Sequence, residues 1–418
     1  MPDSNSEFVQ PRLPVHYRLQ NLLGSVIGRK FDQVLDGISV GQLSLTWPDG
    51  HTTQHGNRSE KLEENAHVIL SNFKPIRLLM FNGQIGFAES YLAGHWTTDS
   101  LENLFRLIMN NDANIRQLIR GSRVARFFNN RKHDSNDNTK QGSQRNIAYH
   151  YDLGNDFYSL WLDQSMSYSS GIFEPGDTLE DAQQKKLHSV SRLLKPEAGA
   201  NVLEIGCGWG AMAKHLACEN ACDVHGISLS AEQLDYARAH NHIANSDETF
   251  SGQTSFKYKD YREITGQFDH IVSIEMFEAV GERYWQTYFH KIHELLDHGG
   301  TAVLQIITIL EDFFDSYRAN PDFIQRYIFP GGMLPTKTQL KTLIEDAGFD
   351  LVQSQWFGES YADTLKDWRE RFESASRDVR SQGFDERFLR MWRYYLTYCE
   401  TGFRFGRTDV GQLVLCKR

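Results

Sequence analysis

Three glycines alternate with larger residues where an apolar run ends, in Val202-Leu203-Glu204-Ile205-Gly206-Cys207-Gly208-Trp209-Gly210. The run predicts a buried strand that turns tightly into a helix. Glycines at such a turn let the backbone take positive φ and let a ligand reach the main chain. A dinucleotide fingerprint would need GxGxxG and an acid about 20 residues later, at the end of the second strand. Here the spacing is GxGxG, the second strand ends in Ile227-Ser228, and the acid, Glu204, precedes the first glycine. This version suits S-adenosylmethionine, whose methionine part lies over the glycines and brings no pyrophosphate to the helix N-terminus. Glu204, Gly206, Cys207, Gly208 and Gly210 are therefore expected around that cofactor; the plain alternative is a tight turn with no ligand. Ser230-Ala231-Glu232-Gln233 reads as a capping box, which would leave Ser228 and Gln233 facing a crevice where the adenosyl ribose lies. Asp260-Tyr261 closes the third strand and offers an acceptor for the adenine amine and a ring to lie against it. Singly these residues read as capping or packing; at the ends of three successive strands they favour a cofactor.

A second set of polar residues stands in apolar surroundings. Glu278 sits just past an apolar strand, where a carboxylate is costly unless paired or hydrogen-bonded; the plain alternative is an acid at a helix N-terminus. Glu275, three residues earlier, is the lower-ranked candidate. Gln305 interrupts the apolar run Thr301–Leu310, and a buried amide needs partners, so a pocket is expected there. Cys399, in an aromatic-rich helical stretch, and Tyr361 and Tyr168 read by residue type alone as core. His150 and Asp152 could form a small polar network. Cys218 and Cys222 fall one helical turn apart without further His or Cys, which predicts no metal site.

The elements that must position these groups follow from the pattern. Apolar strand-like runs lie at 201–205, 224–228, 254–258, 270–274, 302–309, 350–356 and 412–416, with helical patterns at 181–195, 210–219, 230–242, 284–297 and 336–347. Strands alternating with helices predict a parallel sheet covered on both faces. The fold class is therefore α/β, a seven-stranded Rossmann-like domain whose long insertions, 311–335 and 358–410, could roof a pocket at the strand C-termini. Residues 129–146 contain no aromatic or branched apolar residue and read as a linker. Before it, a hairpin at 40–53 turning at Pro48-Asp49-Gly50, a strand at 67–70 and a helix at 101–109 suggest a smaller α+β domain over residues 1–128. The catalytic domain is expected to span 147–418.

The chain has 418 residues with 44 Lys+Arg against 54 Asp+Glu, a net charge of −10, which speaks against a nucleic-acid partner. Its 5 cysteines form no CxxC pair and point to reduced thiols. Met1–Gln10 lacks the pattern of a signal peptide, and no apolar run approaches the ~20 residues needed to cross a bilayer, so a cytoplasmic protein is expected. Arg116, Arg120, Arg123, Arg126, Arg131 and Lys132 occupy a stretch free of acids, with Ile115, Leu118 and Ile119 on another helical face. This predicts a basic amphipathic helix able to dock on an anionic bilayer; a solvated face is the alternative.

From about Arg145 onward the sequence resembles the cyclopropane-fatty-acyl-phospholipid synthase family of S-adenosylmethionine-dependent methyltransferases. The segments that carry the likeness are Ala148–Tyr158, Met166-Ser167-Tyr168-Ser169-Ser170, the glycine turn, Met276–Gly281, Tyr327-Ile328-Phe329-Pro330, Phe357-Gly358 with Tyr361, and Tyr394–Cys399. The resemblance implies that the cis double bond of an unsaturated phospholipid acyl chain in the membrane surface attacks the sulfonium methyl, and that a base then removes a proton. It implies further that the base is a bicarbonate ion, held here by Glu278, Tyr361, Cys399 and the backbone of Ile307, with Tyr168 and Ser169 beside the cofactor. Two positions depart: the family's first Cys is Ser170, and its His is Gln305, which can hydrogen-bond but has no proton-transfer capacity near neutral pH. A methyl- or methylene-branched acyl product, as on the way to furan fatty acids, thus stands beside a cyclopropane ring. The competing readings are a methyltransferase acting on a small amine or alcohol and a non-catalytic lipid-binding protein. Peripheral attachment to the inner leaflet and a homodimer are compatible with the resemblance.

Overall fold

The computed structural model describes residues 31, 35–112, 115, 138–151, 153–246 and 252–418. The chain divides into two compact units, residues 1–122 and 123–418. In the first, strands β1 (Gln42–Thr46), β2 (Thr52–Gly56), β3 (Asn65–Leu70) and β4 (Trp96–Thr98) form a sheet in the order β2-β1-β3-β4. β1 and β2 make the expected antiparallel hairpin, closed where Gly50 N–H donates to Trp47 O, whereas β1 and β3 run parallel. Leu43, Leu45, Val68 and Leu70 alternate onto one buried face. Asn111, just beyond the helix Leu101–Asn110, accepts from Ser39 N–H and Val40 N–H and donates to Val40 O, tying that helix end to the start of β1.

The second unit holds strands β5 (Asn201–Ile205), β6 (Asp223–Ser228), β7 (Gln253–Tyr258), β8 (Phe268–Ile274), β9 (Leu296–Ile309), β10 (Phe349–Trp356) and β11 (Thr408–Lys417), in the order β10-β11-β9-β8-β5-β6-β7. The seven-stranded Rossmann-like sheet is as expected from the alternating pattern, with one difference in direction. β11 is antiparallel to both of its neighbours, β9 and β10. The connection from β10 to β11, residues 357–407, carries three helices and brings the chain back in the reverse direction.

Alternation along the inner strands sends neighbours to opposite faces. Leu203, Ile271 and Leu304 pack with the helices Trp285–Leu295 and Lys337–Asp346, and Val202, Val272 and Val303 pack with Leu179–Leu194 and Ala211–Asn220. Both faces are thereby covered, which lets the interior strands be apolar throughout. The first insertion carries the helices Glu311–Ala319 and Phe323–Tyr327; the second carries Gly358–Ser374, Ser376–Ser381 and Glu386–Arg404. The proposed linker is shorter than expected at its C-terminal end, because Lys140–Tyr151 is helical. The basic stretch Arg116–Lys132 and Asp152 lie outside the described residues. No helix among the described residues is long and apolar enough to cross a membrane.

Candidate active site

The glycine turn is stitched to the next strand: Gly206 N–H and Cys207 N–H both donate to Ile227 O, and Gly210 N–H closes the turn on Cys207 O. Gly206 and Gly208 have φ of 81° and 51°, a region that L side chains rarely adopt. A Cβ on Gly206 would meet Met276 Cγ at 2.8 Å, whereas one on Gly208 would have only Gln233 Nε2, at 4.0 Å, for company. Gly206 is thus required by packing. Gly208 opens onto space.

That space is a cavity lined by Tyr168, Ser169, Lys186, Glu204, Gly206, Cys207, Gly208, Trp209, Ser228, Gln233, Tyr261, Glu275 and Met276, among others. Nine of the expected cofactor residues therefore lie on one wall system. Gly210 does not line it and instead begins the helix Ala211–Asn220. Asp260 is also outside the lining. Its carboxylate accepts from Arg262 Nε at 2.8 Å and from a terminal guanidinium nitrogen at 2.6 Å, so the expected adenine acceptor is committed to a buried ion pair. Ser230 Oγ accepts from Gln233 N–H as a helix cap, but the Gln233 side chain turns to Ser228, whose hydroxyl donates to it at 3.2 Å, and does not close the reciprocal box.

At one side of the cavity two acids are held in different ways. Glu275 Oε1 accepts from Ser170 N–H and from Gln305 Nε2, each at 2.8 Å, and Oε2 accepts from the Tyr361 hydroxyl at 2.6 Å. Glu278 Oε1 accepts from Ile307 N–H, and Oε2 has no partner among the described residues. Burial pushes the Glu278 carboxyl up to about 8, and the nearby Glu275 charge adds to this. Burial also raises Glu275, but its hydrogen bonds from Tyr361, Gln305 and Ser170, and the Lys186 charge, oppose the shift. The two neighbouring carboxyls thus differ in their support: Glu275 accepts three hydrogen bonds that favour its charged form, whereas Glu278 has one, from Ile307 N–H.

The hydrogen bonds group the expected residues differently from the ranking made from sequence. Ser170, Gln305 and Tyr361 gather on Glu275, and only Ile307 stays with Glu278. The Ser170 hydroxyl, expected to face an anion, donates to Gly171 O, leaving its backbone N–H as the useful donor. Cys399 is not in the cavity wall; burial, with the Asp322 charge adding, keeps its thiol protonated. Glu275 was hard to favour because its placement depends on φ of 50°, which turns a non-glycine side chain at the end of β8 into the site.

Gln305 is aimed by a ladder that spans three strands. It pairs in register with Gln412 on β11, which pairs with Gln355 on β10. Gln412 Nε2 donates to Gln305 Oε1 at 3.0 Å, while Gln412 Oε1 accepts from Ser189 Oγ and Gln355 Nε2. With its oxygen so engaged, Gln305 must present its amide N–H groups to Glu275 and to Ser170 O. Lys186 is a second residue that sequence reading passed over. Its ammonium donates to Ser169 Oγ at 2.8 Å, and burial lowers its pKa to about 8 against the pull of Asp163, Glu275 and Glu204. The signal was present: Lys186 shares the helical stripe of Leu179, Ala182, Val190 and Leu193, all buried.

The residues fit S-adenosylmethionine. Glu204 lines the cavity, is pushed up to about 8 by burial, and has one oxygen, Oε2, without a partner among the described residues. A ligand ammonium would satisfy it, and the open side of Gly208 leaves room for main-chain approach.

Comparison with known proteins agrees. The family model described as mycolic acid cyclopropane synthetase matches residues 138–413. The chain is 36% identical over 347 residues to tuberculostearic acid methyltransferase UfaA1 of Mycobacterium tuberculosis, spanning 80% of this chain and 79% of that protein. It is 32% identical over 361 residues to the cyclopropane-fatty-acyl-phospholipid synthase of Escherichia coli K12, spanning 84% and 88%. The crystal structure of mycolic acid cyclopropane synthase CmaA1 complexed with SAH and CTAB superposes with a TM-score of 0.61 at 28% identity, covering 66% of this chain and 98% of that one.

Proposed function

From the premise that the chain belongs to the mycolic acid cyclopropane synthetase family and is an S-adenosylmethionine-dependent methyltransferase, we propose that its acceptor is the cis double bond of an unsaturated phospholipid acyl chain. The observation that carries this reading is the junction of the glycine-walled cavity with a half-buried carboxylate, Glu275, fixed by three hydrogen bonds. A methyltransferase acting on an amine or alcohol needs only to take up a proton from a heteroatom. An alkene gives a carbon cation, which demands a buried anion and aromatic faces beside it.

S-adenosylmethionine supplies an electrophilic methyl group when bound. Glu204 would hold its ammonium, the backbone around Gly206 and Gly208 its methionine part, and Ser228 with Gln233 the ribose. Tyr168 closes the wall toward the insertions. Its hydroxyl shares a hydrogen bond with that of Tyr395 at 2.7 Å, and its ring lies 5.2 Å from Trp368 and 5.5 Å from Trp161. Rings so packed would offer π-faces to a cationic carbon, and the acyl chain would run past Tyr361.

The test is mass spectrometry of unsaturated phospholipid vesicles incubated with the full chain and deuteromethyl-labelled cofactor. A lipid enlarged by one carbon that retains two deuteriums is expected, and fragmentation separates a ring from a methylene branch. Labelled soluble amines with unlabelled lipid would overturn the reading. The vesicles also test docking by the basic stretch: exchange of Arg116, Arg120 and Arg123 for Gln should weaken sedimentation with anionic vesicles at low salt.

A further inference from the structure

We propose that Glu275 is the built-in base of this site, its carboxylate standing where a separate bicarbonate ion would otherwise be held and taking the proton released from the alkylated acyl chain. The proposal rests on the methyl-transfer reading above and adds the identity of the proton acceptor.

The donors that an anion would use are already spent on this side chain. Ser170 N–H, Gln305 Nε2 and the Tyr361 hydroxyl all point to Glu275, and Ile307 N–H is taken by Glu278. A carboxylate offers about four acceptor positions; three are filled, two on Oε1 and one on Oε2, so Oε2 keeps one for an incoming proton. Glu275 lines the same cavity as Gly206 and Gly208, on the side where Met276 abuts the glycine turn. The rigid supports of its partners fix it there: the Gln412–Gln305 contact sets the amide, and Tyr361 is packed against Phe403 at 4.3 Å. The left-handed backbone at Glu275, with φ of 50°, turns its side chain from the end of β8 toward these donors.

The step balances without any added reagent. The alkene pair forms the new bond to the methyl carbon, whose bond to sulfur breaks with its pair left on sulfur, and the neighbouring alkene carbon becomes cationic. Glu275 Oε2 takes a proton from the new methyl group. The C–H pair so released either closes a three-membered ring onto the cation or, after a hydride has moved from the alkylated carbon to the cationic one, forms an exocyclic double bond. Glu275 then returns its proton to water as product leaves.

The experiment compares wild type, E275Q and E275G on unsaturated vesicles in buffer stripped of carbon dioxide and in the same buffer with added sodium bicarbonate. Wild type should turn over equally in both. E275Q should lose at least ~100-fold in turnover and gain nothing from bicarbonate, because the amide still fills the place. E275G, in which glycine suits the backbone, should lose as much in stripped buffer and recover at least ~10-fold with bicarbonate. Calorimetric titration of bicarbonate should give heat with E275G and none with wild type; circular dichroism reports whether the variants fold, and E275Q keeps the test open if E275G does not. A wild-type rate that collapses in stripped buffer, or an E275Q rate close to wild type, overturns the proposal while leaving methyl transfer standing. No labelled lipid from wild type in either buffer overturns the methyl-transfer reading itself.

Discussion

Removing the Tyr361 hydroxyl tests the electrostatics of the site with a single oxygen atom. In Tyr361→Phe the ring is kept, along with its contacts at 4.3 Å to Phe403 and 6.2 Å to Trp368, so the change is confined to the 2.6 Å bond to Glu275 Oε2. A hydrogen bond to an ionised group contributes about 1.5–3 kcal/mol. Because it favours the charged form, its loss raises the Glu275 pKa, and at about 1.4 kcal/mol per pH unit the rise is about 1–2 units. A protonated Glu275 can accept no proton. The acidic limb of the pH–rate profile should therefore move up by about 1–2 units, while turnover on the alkaline plateau falls much less. The assay is S-adenosylhomocysteine release from unsaturated vesicles between pH 5 and 9, at saturating cofactor. An acidic limb that stays where the wild type's lies would refute the assignment of Glu275 as the titrating base, whatever happens to the plateau.

Two further outcomes follow from the same geometry. Gly208→Ala places a Cβ in the open cavity, so cofactor affinity measured by calorimetry should fall at least ~10-fold, while the left-handed backbone costs on the order of 1–2 kcal/mol in thermal unfolding; undiminished affinity would mean that the ligand does not lie over this turn. Glu278 is raised from an ordinary carboxylate value to about 8, so between those limits the folded state binds the extra proton and its stability falls as pH rises, by at most about 1.4 kcal/mol per pH unit. Glu278→Gln should flatten the decline in stability between pH 5 and 8 seen in denaturant titrations, with a residual slope from Glu204, which is raised likewise; an unchanged slope would show that Glu278 is ionised throughout.

Much of this protein is determined locally. The strand-then-helix periodicity, the GxGxG turn and the apolar run broken by Gln305 each specify their element within a few residues, because side-chain alternation and backbone φ are short-range properties. The cofactor wall was legible for that reason: the ends of parallel strands must lie together once the sheet forms. The placement of Glu275 was different. Its partners come from the segment after Ser169, from β9 and from the helix Gly358–Ser374, separated by 105, 30 and 86 residues. Which acid they reach depends on the register of β8 with β9 and on one positive φ. The glutamine ladder through Gln305, Gln412 and Gln355 is likewise a product of register, since a shift of one residue would turn each amide to the opposite face. The same holds for Asp260, which sequence offered to adenine and tertiary structure gave to Arg262. Residue chemistry and local periodicity were enough to specify the fold and the presence of a site; only packing of distant strands decided which carboxylate gathers the hydrogen-bond donors there, because those donors are supplied by neighbours in space.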